Sequence, residues 1–288
     1  MPNKKSTYSK RRSKRPKRLD NRARGMILII LLAALALSAL AGIGKYFKPD
    51  APKVESSVSE LLKVEIPDET PEIKIDYTGF FVSFNPSHHQ PNYVAWELTR
   101  DEANGNLARS SKFRPDNDVY GCPTLDDYRN SGFDRGHMAP AGDMKWSEQA
   151  MSDSHYLTNM CPQSHTLNGG RWASLENTCR EWARRDSAII IICGPVLTDR
   201  MPRSIGESGV SVPERFFKVV LAPYANPPRA IGFIMPNGPM QGGIGQAATT
   251  VDHVEEITGF DFFSSLPDDV ENAIESQANF NQWQRKRR

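Results

Sequence analysis

The spacing of apolar and polar positions divides the chain into segments of different character. Residues 26–44, MILIILLAALALSALAGIG, are nineteen consecutive uncharged residues with no polar face. As a helix they would run about 28 Å, close to the ~30 Å hydrocarbon core of a bilayer. Residues 45–75 are rich in Lys, Glu, Pro and Ser with weak periodicity, and predict a linker. Short β-rich runs begin near residue 76: GFFVSFN and NYVAWEL, separated by PSHHQP. Residues 99–130 predict loops, SEQAMSDS a short helix and HYLTNM a strand. In GGRWASLENTCREWARRD, Trp172, Leu175, Cys179 and Trp182 recur at i, i+3, i+7 and i+10, the core-facing stripe of a helix of about four turns. SAIIIICGP predicts a buried strand, RFFKVVLAP and RAIGFIMPN two more, and TVDHVEEITG and DDVENAIESQ terminal helices. Strands in runs, without regular βαβ alternation, predict an α+β fold with a mainly antiparallel sheet and packed helices. The expected organisation is a basic segment (1–25), an apolar segment (26–44), a linker (45–75), one folded domain (76–265), and a C-terminal helix with a basic tail (266–288).

Charge sharpens this picture. The formal net charge of +2 hides an asymmetry. Residues 1–25 hold eleven Lys/Arg and one acid, Asp20, and the chain ends in Arg-Lys-Arg-Arg. The body between, 26–284, is acidic, with 21 basic against 33 acidic residues. A whole-face basic surface for nucleic acid is therefore excluded there, and any polyanion site must be a local positive pocket. The basic flank of residues 26–44 fits a membrane anchor with the basic side inside and the folded domain extracytoplasmic. Ala39-Leu40-Ala41 before Gly42 equally fits a signal-peptide cleavage site, which would make the protein secreted. An organellar transit segment over 1–25 is a third reading; the segment is Arg-rich but not amphipathic. Cys122, Cys161, Cys179 and Cys193 contain no C-x-x-C pair, which argues against a zinc ribbon and leaves disulfides or buried thiols.

The densest chemistry lies in GFDRGHMAPAGDMKWS, 132–147. His137 titrates near neutrality and can take a proton from water. Arg135, two residues earlier, shares its face if the segment is a strand. Downstream lie Asn159, Asn168, Glu176 and Arg180. Glu176 and Arg180 are four apart and border the helix stripe, where they can reach the rim of a site or form an exposed ion pair. The amide oxygen of Asn168 is a hard ligand suited to Mg²⁺, or else an N-terminal cap. His88-His89 face opposite ways if extended and predict a surface loop. His155, His165 and His253 are assigned structural roles, and Trp96, Trp146, Trp172 and Trp182 to core or rim.

The order of these segments is specific. D-R-G-H-x-x-P is met by Asp134, Arg135, Gly136, His137 and Pro140, and T-N-x-x-P-Q by Thr158 to Gln163. Asn168, Glu176 and Arg180 follow, and FRPD (Phe113 to Asp116) lies upstream. Over residues 76–260 the chain resembles the DNA/RNA non-specific endonucleases, the ββα-metal (His-Me finger) nucleases. The resemblance implies His137 as general base, Asn168 as direct Mg²⁺ ligand (Mn²⁺ being an alternative ion) and Glu176 as holder of the metal's water shell. It implies Arg114, Arg135 and Arg180 as phosphate contacts, and Asn159 as the residue positioning histidine or substrate. The expected substrates are DNA and RNA, met through the phosphate backbone with weak sequence choice. The membrane, through residues 26–44, and a second copy of the chain in a homodimer complete the expected partners. The competing reading is an inactive nuclease-fold binding module.

Overall fold

The isoleucine run 189–192 explains the architecture. In the computed structural model it lies in the middle of a seven-stranded sheet, and every residue from Ala188 to Pro195 is buried. Alternate side chains face opposite ways: Ile189, Ile191 and Cys193 join one apolar cluster, Ile190 and Ile192 another. A continuous apolar strand is what a sheet covered on both faces requires.

The structure describes residue 54 and residues 56–109, 112–197 and 202–284, all within one unit, Ala51–Arg288. The expected membrane segment, 26–44, and the basic segment, 1–25, lie outside the described residues. Among the described residues no helix is long and apolar enough to cross a membrane.

The sheet strands are β1 (Ile73–Tyr77), β2 (Phe80–Asn85), β3 (Gln90–Thr99), β6 (Ala188–Pro195), β7 (Arg215–Ala222), β8 (Arg229–Pro236) and β9 (Ala248–Thr249). They run in the order β9-β8-β7-β6-β3-β2-β1, each pair antiparallel. Between β3 and β6 the chain makes a separate ribbon of β4 (Asp134–His137) and β5 (Met160–Gln163). The α-helices of five residues or more are α1 (Glu148–Asp153), α2 (Ala173–Asp186), α3 (Val251–Thr258), α4 (Asp268–Glu275) and α5 (Phe280–Gln284). The α+β class with a mainly antiparallel sheet is therefore as expected.

The helix stripe is also as expected: Trp172, Leu175, Cys179 and Trp182 are all buried in the cluster that packs on one sheet face. Val251 and Val254 of α3 and Ile274 of α4 cover the other face. All four cysteines are free thiols, three of them buried in the core.

Three expectations shift. The segment read as a strand, 155–160, is a 3-10 turn at Leu157–Asn159, and extended structure starts only at Met160. The buried amide of Asn159 bonds local backbone and holds this turn. The α-helix expected from Gly169 begins at Ala173, after a wider turn at Leu167–Trp172. Ordered structure also starts upstream of residue 76. Leu61 is buried, β1 is an edge strand of alternating burial, and Val64–Glu65 pairs with Asp261–Phe262.

The C-terminal segment is part of the core. Trp283 is 2% exposed, its ring 4.5 Å from that of Trp182, and Arg185 donates a hydrogen bond to its carbonyl. Trp283→Ala is expected to destabilise the fold by about 3–5 kcal/mol, the usual cost of emptying a buried aromatic site. Chemical denaturation of the variant against wild type checks this.

Candidate active site

The ribbon β4–β5 and helix α2 form a two-strands-and-helix unit around His137. Three interactions fix the histidine's backbone. Asn159 is fully buried; its Oδ1 accepts from Ala139 N–H, and its Nδ2 donates to the carbonyls of Ala139 and Ser154, each at 2.9 Å. Trp172 Nε1 donates to the carbonyl of His137 at 3.2 Å, tying the start of α2 to the strand. Gly136 faces Cys161 in the ribbon, and any Cβ there would collide with the Gln163 side-chain amide. The Gln163 side chain, reaching over from the other strand of the ribbon, is what leaves no room for a Cβ here.

The imidazole of His137 packs edge-on against His155 (ring centroids 5.1 Å apart) and beside Phe113 (5.3 Å). Nε2 is buried without a hydrogen-bond partner among the described residues, which leaves Nδ1 as the ring nitrogen open to the cavity. Burial first, then the nearby His155, Arg109 and Arg135, hold its pKa well below the usual 6.5. The ring is therefore neutral at pH 7 and able to accept a proton.

A cavity of about 750 Å³ opens in front of it. Its walls include Arg109, Asp134, Arg135, His137, Asn168 and Glu176. The guanidinium of Arg135 lies over the Phe113 ring, 4.6 Å from its centroid. Asn168 is not a helix cap. Its Nδ2 donates to Asp134 Oδ2 at 2.9 Å, and His165 Nδ1 also bonds this oxygen at 3.0 Å. With the amide nitrogen committed, the Asn168 carbonyl oxygen is the atom free to serve a cation. Glu176 has its carboxyl pKa pushed up to about 7 by burial, opposed by Lys218 and raised further by Asp143. Asn168 Oδ1 and the Glu176 carboxyl are hard oxygen donors, a set that suits a small divalent ion retaining most of its waters.

Two arginines expected at the phosphate have protein partners instead. Arg180 donates from Nη1 to Asp143 Oδ1 (2.5 Å) and from Nη2 to Asn177 Oδ1 (2.6 Å), so it does not pair with Glu176. It stands directly behind Gly142 of the cavity wall. Arg114 donates to the Ser152 carbonyl and hydroxyl and lies 3.8 Å from the centroid of the Tyr156 ring. Neither side chain lines the cavity.

Three participants were not legible from the sequence. Arg109 stands on the cavity wall, and its Nε donates to His155 Nε2 at 3.4 Å; it sits in a loop with no periodicity to mark it. His155 has a structural role as expected, but it is the wall behind His137, held through Nδ1 to the Met151 carbonyl. Lys218 is 1% exposed, its ammonium 4.4 Å from the centroid of the Trp172 ring. Burial alone would lower its pKa, but the surrounding thiols of Cys193 and Cys179 and the acids Glu176 and Asp143 hold it raised, hence charged. Its one sequence signal was a lone Lys inside an otherwise apolar strand.

Comparison with known proteins agrees with this geometry. Residues 57–269 match the family model of the DNA/RNA non-specific endonucleases. The chain is 33% identical over 239 residues to mitochondrial nuclease EXOG of Danio rerio, covering 77% of this chain and 69% of the relative. It is 31% identical over 228 residues to a nuclease of Nostoc sp., covering 74% and 80%. Among solved structures, one of an EndoG/EndoGI complex superposes with a TM-score of 0.64 at 25% identity, over 67% of this chain and 86% of that one. With the family model spanning most of the folded residues, this chain belongs to the DNA/RNA non-specific endonuclease family and is an enzyme of that kind.

Proposed function

We propose that this nuclease is a Mg²⁺-dependent phosphodiester hydrolase in which His137 is the general base. The observation that carries this reading is an imidazole held neutral by burial, with one ring nitrogen open to a cavity that also holds Asn168, Glu176 and three arginines, Arg109, Arg129 and Arg135. His137 Nδ1 takes the proton of a water as the water oxygen attacks phosphorus, and the bond from phosphorus to the leaving oxygen breaks. Arg135 and Arg109 bind the non-bridging phosphate oxygens, where negative charge grows; one such contact is worth ~3–4 kcal/mol in the transition state. Asn168 would hold Mg²⁺ through its amide oxygen, with Mn²⁺ as an alternative, and Glu176 would hold the ion's water shell. A bound ion would supply Lewis-acid stabilisation of the phosphoryl and leaving oxygens.

Asn159 is a positioning residue, since all its polar atoms are spent on backbone. Arg180 and Arg114 support the wall rather than the phosphate. Arg135 and Arg109 meet backbone phosphate and no group named reads a base edge, so both DNA and RNA are substrates. A module that only bound nucleic acid would need the arginines but not the open imidazole. The uncharged run 26–44 and its basic flank support a membrane tether with the nuclease domain on the extracytoplasmic side, or a secreted enzyme if the run is cleaved.

Purified protein is expected to degrade both plasmid and RNA with Mg²⁺ and to stop on chelation; failure on both substrates with Mg²⁺ and with Mn²⁺ would remove the enzymatic reading. His137→Ala is expected to lower kcat by roughly 10²–10⁴-fold while the melting temperature stays close to wild type. A collapse of folding in that variant would make the histidine structural.

Asn168→Ala is expected to move the Mg²⁺ titration of the rate to higher concentration, and an unchanged titration would rule out its ligand role. The histidine also predicts a stability profile. Its folded pKa lies below its unfolded one, so the neutral ring contributes stability above about pH 6.5 that is lost on acidification. Melting temperature should therefore fall less steeply between pH 7 and 5 in His137→Ala than in wild type. Parallel slopes would show that the ring is not held neutral by the fold.

A further inference from the structure

On the sheet face opposite α2, helices α3 and α4 bring carboxylates together. Asp252 and Glu255 are three apart on α3 and share one side of it. Glu275 is the last residue of α4. One carboxylate oxygen from each lies within 4.8 Å of the other two. That spacing fits a shared ion, because oxygens bound at about 2.4 Å can be at most about 4.8 Å apart.

The proximity of acids would mean little by itself. The second observation is Glu275, which is 3% exposed and whose Oε1 is buried without a hydrogen-bond partner among the described residues. A buried carboxylate in that state is costly, and a helix C-terminus is the wrong pole for a negative charge. The groups that face it are acids as well: Glu255, Glu271, Asp252 and Asp261 all push its pKa up, after burial. Glu255 has one oxygen committed to the Phe262 N–H at 2.9 Å, which orients the carboxylate. Glu65, across the short strand pair from Asp261, adds to the field on Asp261 and Glu271.

We propose that Asp252, Glu255 and Glu275 form a structural site for a divalent cation of the calcium class, separate from the catalytic cavity. All three ligands are hard oxygens, and water would complete the coordination. The ion would tie α3 to α4, and so hold the C-terminal segment against the sheet. This site goes beyond the nuclease reading and does not depend on it.

The test uses the purified full-length chain carrying Asn168→Ala, so that cation binding in the catalytic cavity does not dominate. Ca²⁺ at tenfold over its dissociation constant should raise the melting temperature by about 3–6 °C. Adding Glu275→Gln should abolish that shift, while the chelated protein melts no lower than its parent, because an uncharged isostere fills the same volume with no charge to bury. Asp252→Asn, at an exposed position that cannot empty the core, should cut the shift by more than half. On an otherwise wild-type chain, Glu275→Gln should leave Mg²⁺-dependent cleavage unchanged. No shift up to roughly 10 mM Ca²⁺, beyond the weak end of protein calcium sites, would overturn the proposal. An equal shift with and without Glu275→Gln would overturn it too, and so would a Ca²⁺ shift no larger than that given by Mg²⁺.

Discussion

The site depends on a single buried amide. Asn159 closes three hydrogen bonds onto the backbone at Ala139 and Ser154, and so fixes where the chain goes after His137. In a dry environment each unmet group would cost about 1–3 kcal/mol, so this arrangement is close to all-or-none. The imidazole is then pressed between Phe113 and His155, and that burial keeps it neutral. Its neutrality follows from packing rather than from an acidic partner.

Electrostatics around the cavity are layered. Arg109 and Arg135 make its wall positive although the body of the chain is acidic. Behind the wall, Asp143 anchors Arg180 and accepts from the indole of Trp96, and Lys218 lies against two tryptophan rings. These buried charges set the field at Glu176 from behind the wall. A local pocket of this kind attracts a phosphodiester where a general basic surface is lacking.

The sheet separates two chemistries. Cys193, Ile191 and Phe216 face the α2 side, and Ile192, Phe217 and Val219 face the α3 side. The two-strands-and-helix unit around His137 sits with the first set. The crowded acids of α3 and α4 sit with the second, where their repulsion acts on the C-terminal segment rather than on the cavity.

The sequence by itself determined the strands and helices with strong periodicity, the stripe on α2, and the motif residues from Asp134 to Arg180. These are local signals: a period of two or 3.6 reveals which side of an element is buried. Tertiary structure alone decided what each side is buried against. Arg180 could have paired with Glu176 four residues away, yet Asp143, 37 residues back, holds it. Gly136 is required by Gln163 across a ribbon, and Arg109 and His155 reach the site from loops and turns that have no period. Edge strand β1 escaped notice because its exposed face is polar and it gains meaning only when paired with β2. Spacing in the chain fixes direction, while the partner is chosen by contacts between distant residues, which no window of sequence contains.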